Sequence, residues 1–178
     1  MEDVQLVLLA QTGDREAFQQ LLRRVYPALL RYVTGLVGNT AADDVVQDTA
    51  IQIHRNLRWL REPSYFRSWA YRIASRFAIA HLKRTKRWES LDDHVESIGE
   101  NAVTADFEAK FLWSDQVQVL AEQLSPASRA VFLLHYQHGQ TFEEISAVLE
   151  IPIGTVKSRL FYAVKKLRTW FAKEEQYE

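Results

Sequence analysis

Residues 141–168 read TFEEISAVLEIPIGTVKSRLFYAVKKLR and decide the fold of the C-terminal third of this chain. Thr141 and Glu144 fit a capping box, in which each side chain accepts a hydrogen bond from the other residue's backbone amide. A short helix to about Leu149 follows, then a tight break at residues 150–152, then a longer helix to about residue 172. A short capped helix, a turn and a longer helix together predict a helix-turn-helix.

The longer helix is strongly basic. Residues 151–168 contain five basic side chains and no acid, whereas the whole chain has a formal net charge of -1. The apolar positions predicted to face inward are Val156, Leu160, Ala163, Val164 and Leu167. The positions predicted to face outward, as candidate DNA contacts, are Thr155, Lys157, Ser158, Arg159, Tyr162 and Lys166. Arg159 could bond guanine with both arms. The alternative is an ordinary helical hairpin with a solvated basic face.

Composition limits the remaining possibilities. The 178 residues are 47% hydrophobic and include six glycines, four prolines and no cysteine. A chain rich in helix formers and poor in Gly and Pro favours an all-α globular protein. The absence of cysteine excludes disulfides and thiolate metal sites. No apolar run approaches the length of a membrane helix and the N-terminus does not resemble a signal peptide, so we expect a cytoplasmic protein.

The first half shows helical periodicity with an acidic face. Asp14 is predicted to cap a helix that Pro27 interrupts and kinks, and residues 38–40 are predicted to end it and cap the next. In that next helix the predicted buried positions are Val45, Val46, Thr49, Ile53 and Leu57. The polar residues on its other faces are Asp43, Asp44, Gln47 and Asp48. Such acids can pair with basic residues of a partner helix, or simply complement the helix dipole.

Residues 61–89 interleave aromatic and basic side chains, with eight basic residues against two acids. Opened DNA needs surfaces on which bases stack and positive charge for the backbone, and this composition supplies both. The candidate contacts are Tyr65, Phe66, Arg67, Trp69, Arg72, Arg76, Lys83, Arg84 and Arg87. Two alternatives stay open: the aromatic residues are core, or the helix lies on a membrane surface.

Residues 89–105 lose the helical periodicity and are acidic, which predicts a linker between two helical halves. The expected boundaries are a first domain over residues 1–88, the linker over 89–105 and a second domain over 106–178. Such a linker would tether the two halves and raise their effective concentration at neighbouring DNA sites.

Three segments together resemble the extracytoplasmic-function (ECF) sigma factors of bacterial RNA polymerase, a group of the sigma-70 family. One segment resembles the fourth sigma domain, which reads the -35 element. It covers residues 123–168, QLSPASRAVFLLHYQHGQTFEEISAVLEIPIGTVKSRLFYAVKKLR. Residues 41–57, AADDVVQDTAIQIHRNL, resemble the part of the second sigma domain that binds polymerase. Residues 65–87, YFRSWAYRIASRFAIAHLKRTKR, resemble the part that melts and reads the -10 element.

The resemblance implies a function for each candidate set. The helix-turn-helix residues would contact the -35 element, and the aromatic and basic residues would contact the -10 element. A pocket for a flipped base would form at about residues 60–68. Asp43, Asp44, Gln47 and Asp48 would bind the β′ clamp helices, and core polymerase would also be contacted through the β flap. Promoter DNA and an anti-sigma factor are the other implied partners, with no cofactor and no small-molecule substrate.

Three residues depart from the family pattern. Arg76 stands where many members have Asn, and Ala80 where many have Asp, so the base preferred in the pocket is open. Glu150 stands where many relatives have Gly. If the turn requires a left-handed residue there, Glu150 costs on the order of 1 kcal/mol.

Two other functions compete with the sigma-factor interpretation. An enzyme would need a catalytic constellation, and neither a glycine-rich phosphate loop nor a nucleophile elbow is present. His135 and His138 have a spacing that can hold a metal, but no carboxylate pattern accompanies them, so we expect no metal site. A helix-turn-helix transcription regulator that does not join polymerase would need only the last motif. Binding to core polymerase discriminates the two.

Overall fold

The computed structural model describes residues 2–85 and 120–174, with side chains up to Trp170. In these ranges every regular element is helical, which confirms the predicted all-α class. The chain divides into two compact units, the first over residues up to Thr85 and the second containing most of the described residues from Leu120 onward. The predicted linker, Arg87 and the predicted start of the second domain lie outside the described ranges.

The first unit contains four α-helices and two short 3₁₀ turns. These are α1 (Asp3–Gln11), α2 (Arg15–Val37), α3 (Asn39–Asn56), the turns Leu57–Trp59 and Pro63–Tyr65, and α4 (Phe66–Arg84). Helices α2, α3 and α4 pack against one another in pairs. At their centre the Tyr32 and Ser75 hydroxyls share a hydrogen bond of 2.9 Å. The Tyr71 ring lies edge-on to Tyr32, and burial raises the pKa of Tyr71 to about 12.

Local hydrogen bonding and backbone conformation determine where α2 begins and where α2 gives way to α3. The Asp14 carboxylate accepts hydrogen bonds from the amides of Glu16 and Ala17 at 2.9 and 3.0 Å, which confirms the predicted cap. Helix α2 continues across Pro27 and ends at Gly38, whose φ of 85° favours glycine. The predicted new cap after Gly38 is wrong: α3 begins at Asn39 without a side-chain cap, because Gly38 itself is the capping residue.

Helix α1 was not expected from the sequence. Its apolar residues form a continuous run rather than a stripe, so helical periodicity is not visible in so short a segment. The structure buries Leu6 and Val7 completely against the unit. Helix formation here therefore depends on tertiary packing, because an isolated helix of this length is marginal in water.

The second unit contains the predicted helix-turn-helix. It comprises α5 (Pro126–Phe132), a π-helical turn Leu133–Gln137, α6 (Phe142–Leu149) and α7 (Ile153–Glu174). The Ser125 hydroxyl caps α5. At α6 the amide of Thr141 donates to Glu144 at 2.8 Å and the amide of Glu144 donates to the Thr141 hydroxyl at 3.2 Å, so the predicted capping box is confirmed.

The turn between α6 and α7 depends on Glu150. This residue has φ 57° and ψ 42°, which is the left-handed region. The condition under which the sequence predicted an energetic cost for Glu150 is therefore met. In the described ranges it is the one residue other than glycine with positive φ. The turn thus keeps the form that glycine allows, with a strained residue in place.

Replacing Glu150 with glycine is therefore expected to raise the free energy of unfolding of the second unit by about 1 kcal/mol, because the left-handed strain is removed. Urea unfolding of the full chain followed by circular dichroism measures the change. A matched variant, Glu143→Gly, places glycine inside right-handed α6 and should instead lower stability. Equal effects of the two substitutions would show that the backbone conformation at residue 150 is not the cause.

Candidate nucleic-acid and protein interfaces

Helix α3 separates an apolar face from an acidic one. Val45, Val46, Thr49 and Ile53 are buried, as predicted, and the Thr49 hydroxyl donates to the Val45 carbonyl oxygen at 2.7 Å. Four polar residues remain exposed on the other side: Asp43, Asp44, Gln47 and Asp48. Within the described part of the chain none of the three carboxylates forms a salt bridge. They are therefore available to pair with a partner's cations.

One residue of this face was missed from the sequence. Ile51 is 42% exposed, although it is a large apolar side chain. It lies three residues after Asp48, four after Gln47 and seven after Asp44, which places all four on one side of the helix. The sequence could have indicated that Ile51 is exposed, because this residue lies outside the predicted buried stripe of α3. If a partner helix covers this acidic face, Ile51 would add buried apolar surface to the contact.

Helix α4 and the turn before it expose a basic and aromatic stripe. Tyr65, Trp69, Arg72, Arg76 and Lys83 follow one another at spacings of three, four or seven residues and so share one side of the helix. Tyr65, Arg76 and Lys83 are exposed, while Trp69 and Arg72 are half-buried. Arg84 is exposed beside this stripe, and Arg87 lies outside the described residues. The predicted interleaving of rings and cations thus reaches the surface.

Phe66 was assigned to this surface, and that assignment is wrong. Its side chain is only 1% exposed and belongs to the core of the first unit, with its ring centroid 6.3 Å from that of Trp69. Phe66 is the first residue of α4, where the chain turns inward from the Pro63–Tyr65 turn. The alternation of buried and exposed positions therefore places Tyr65 outward and Phe66 inward.

Arg67 is exposed but engaged with the first helix. Its Nε donates to Asp3 at 2.8 Å, and Arg24 donates to the other oxygen of the same carboxylate at 3.0 Å. Partial desolvation raises the pKa of Asp3, but hydrogen bonds from Arg67 and Arg24 outweigh it and hold that pKa below its usual value. The ion pair with Asp3 of α1 thus orients the exposed guanidinium of Arg67.

Trp59 is a second exposed ring that the sequence interpretation missed. It is 68% exposed at the end of the first 3₁₀ turn, and the Arg58 guanidinium lies 4.8 Å from its ring centroid. An exposed tryptophan is uncommon because its large apolar surface remains in water. The sequence could have indicated Trp59 as a candidate contact, because it lies one residue before the predicted base pocket at residues 60–68.

Helix α7, the second helix of the helix-turn-helix, buries the predicted apolar positions Val156, Leu160, Ala163, Val164 and Leu167. Of the predicted outward residues, Lys157 and Lys166 are exposed, and Thr155, Arg159 and Tyr162 are half-buried. Ser158 does not face outward as predicted: it is buried, and its hydroxyl donates to the Thr155 carbonyl oxygen at 3.1 Å. Small Ser158 fits beside the buried stripe because its polar atom is satisfied within the helix.

The two histidines considered as metal ligands lie near the π-helical turn. His135 Nδ1 lies 3.0 Å from the Gln140 carbonyl oxygen, and its ring contacts those of Tyr136 and Phe142. Across the described residues, no group of three or more His, Asp or Glu side chains is arranged to hold a metal ion. None of the described helices combines the length and the apolar character needed to cross a membrane.

Comparison with known proteins relates both units to one family. Residues 21–88 match the family model described as Sigma-70 region 2, and residues 114–167 match that described as Sigma-70, region 4. The RNA polymerase sigma-H factor of Pseudomonas aeruginosa is 32% identical over 174 residues, covering 91% of this chain and 90% of that protein. This chain is an ECF sigma factor of the sigma-70 family. The ECF RNA polymerase sigma-E factor of Escherichia coli K12 is also 32% identical, over 92% of this chain and 91% of its own length.

Solved structures support the fold of this sigma factor. CnrH in complex with the cytosolic domain of CnrY has a TM-score of 0.67 and 24% identity, covering 96% of this chain and 97% of that one. The sigma factor RpoE of Bartonella quintana, in complex with the anti-sigma factor NepR, has a TM-score of 0.65 and 22% identity over 87% of this chain and 96% of its own. At these identities the likeness concerns the fold alone.

Proposed function

We propose that this ECF sigma factor binds core RNA polymerase and directs transcription initiation from promoters with -35 and -10 elements. One observation carries the proposal: sigma region 2 and sigma region 4 follow one another in a chain that aligns over nine-tenths of its length with sigma factors. A transcription regulator that acts without polymerase would need only the helix-turn-helix. As an initiation factor the chain needs no catalytic residue of its own.

The work would be divided between the proposed domains. Residues 1–88 would bind polymerase and open the -10 element, residues 89–105 would be the tether and residues 106–178 would read the -35 element and contact the β flap. The exposed acids of α3, with Ile51 among them, suit basic residues on the β′ clamp helices. Because these carboxylates have no salt bridge in the described part of the chain, binding would not first require an internal pair to be broken.

The stripe on α4 would capture opened bases. Stacking on an aromatic side chain is worth about 1–3 kcal/mol per base, which is comparable with the few kcal/mol needed to extrude one. Tyr65, Trp69 and the newly recognised Trp59 supply ring surface, while Arg72, Arg76 and Lys83 supply charge for the backbone. Strand separation would therefore be offset by contacts that duplex DNA cannot make.

The exposed and half-exposed residues of α7 would read the -35 element. Arg159 lies near the N-terminal end of the helix, the part that contacts base edges in helix-turn-helix proteins. Its side chain is half-buried, so its guanidinium approaches DNA from a constrained direction. Exposed Lys166 lies two turns further along and suits a phosphate contact.

Arg159→Ala is expected to reduce discrimination between -35 sequences by about 1–3 kcal/mol, because a bidentate contact to guanine is lost. Transcription by the reconstituted holoenzyme from promoters with each -35 substitution measures this. Lys166→Ala is the matched control, expected to weaken all promoters similarly and to reduce the salt dependence. Uniform loss in Arg159→Ala as well would assign that side chain to phosphate rather than to a base.

Regulation by an anti-sigma factor follows from the same proposal. Bartonella quintana RpoE was solved with its anti-sigma factor NepR, and CnrH with the cytosolic domain of CnrY. We infer that a comparable inhibitor covers the acidic face of α3 in this chain and so competes with polymerase.

In vitro transcription with core polymerase on a promoter library tests the proposed function. The chain should produce start sites that share a -35 and a -10 element. The other candidate, a regulator that does not join polymerase, predicts binding to duplex DNA by the free chain and no new start site. Failure to bind core polymerase would reject the sigma-factor function.

A further inference from the structure

A glutamine at the end of α1 holds the backbone that leads into the proposed base pocket. Gln11 Nε2 donates to the carbonyl oxygens of Leu57 at 2.9 Å and Leu60 at 2.8 Å. The same Leu57 oxygen accepts from the Leu60 amide at 3.0 Å, closing the turn. The two N–H groups of the Gln11 side-chain amide thus donate hydrogen bonds to the two ends of the turn.

The other end of α1 contacts the far end of the same stretch. Asp3 accepts from Arg67 in the first turn of α4 and from Arg24 of α2. Helix α1 also packs against both 3₁₀ turns. Residues 57–67, here termed the recognition segment, are therefore fastened by α1 at both ends.

The recognition segment displays two exposed rings. Trp59 is 68% exposed and Tyr65 is 65% exposed, one in each 3₁₀ turn. Surfaces that capture an unpaired base work best when they are already in position, since a mobile loop loses conformational entropy on binding. A side chain that fixes the Leu57–Leu60 backbone fixes where Trp59 stands.

We propose that Gln11 is a positioning residue for -10 recognition: its amide holds the Leu57–Leu60 turn, so that the recognition segment is organised before the DNA opens. Gln11 acts through the backbone and does not itself contact DNA. The inference rests on the proposed function, because it assumes that the recognition segment receives a base of the -10 element.

The test compares Gln11→Met, which keeps the length of the side chain and removes both donors, with Gln19→Met, an exposed glutamine on α2. Holoenzyme with each variant is scored for open-complex formation on promoters carrying each of the four bases at every -10 position. Two lost hydrogen bonds should lower the ratio between best and worst base about tenfold in Gln11→Met. Discrimination at the -35 element and behaviour of Gln19→Met should stay as in the wild type.

A purely structural role gives a different pattern. Equal loss at every -10 base in Gln11→Met, or no loss, overturns the proposal. If Gln11→Met lacks a cooperative unfolding transition, a second pair decides: Gln11→Lys keeps donors and must retain base discrimination, whereas Gln11→Glu offers only acceptors and must lose it. Equal discrimination by these two overturns the proposal. A wild-type chain that opens no promoter instead rejects the proposed function itself.

Discussion

Replacing Phe66 with alanine is expected to lower the free energy of unfolding of the first unit by about 3–5 kcal/mol. The side chain is 1% exposed, so its removal loses buried apolar surface and leaves a cavity. Urea unfolding of the full chain followed by circular dichroism measures the loss. A loss of this size would show that Phe66 belongs to the core and not to the proposed DNA-contacting residues that flank it in the sequence.

The matched control is its neighbour Tyr65, which is 65% exposed. Tyr65→Ala should change stability by no more than about 0.5 kcal/mol, as surface substitutions usually do, but should slow promoter opening because a stacking surface is removed. A stable Phe66→Ala protein with a selective defect in promoter opening would contradict the core assignment.

Asp48→Arg is expected to weaken binding to core polymerase by about 2–4 kcal/mol, since it replaces an attractive contact with a like-charge contact at the proposed clamp interface. Competition with a labelled sigma factor for core polymerase measures the affinity. The fold should be unaffected because Asp48 is exposed and forms no salt bridge in the described residues.

The control for Asp48→Arg is Glu16→Arg, an identical change of charge at an exposed position on α2. It should bind polymerase with nearly wild-type affinity, and any loss shared by both variants reports net charge rather than a specific contact. Raised salt should shrink the difference between the two, because exposed charges are screened. Equal affinity of Asp48→Arg and wild type would remove α3 from the interface.

The sequence predicted the features that depend on local chemistry. Caps such as Asp14 and Thr141 are visible because each requires particular side chains at fixed offsets. The acidic face of α3 was visible because its buried positions recur at helical spacing. Helix α1 was not visible, because its burial is decided by contacts with residues far along the chain, such as Gln11 with Leu57.

For the candidate sites, it was harder to predict from the sequence which side chains of a helix face outward. Phe66 and Ser158 were both predicted to contact DNA, yet both are buried. For Phe66 the direction depends on how the preceding turn enters α4, and for Ser158 on a hydrogen bond within α7. Trp59 was overlooked because an exposed large ring is contrary to ordinary hydrophobic patterning. Its exposure became evident only with the surrounding residues in place.

The direct packing of α3 against α4 has a mechanical consequence. The helix proposed to bind polymerase and the helix proposed to hold opened bases belong to one compact unit and pack directly against each other. A displacement of the clamp during initiation would therefore reach the bases proposed to lie on α4 through packed side chains rather than through a linker. By the same geometry, an inhibitor that covers α3 would keep both proposed contact helices away from polymerase.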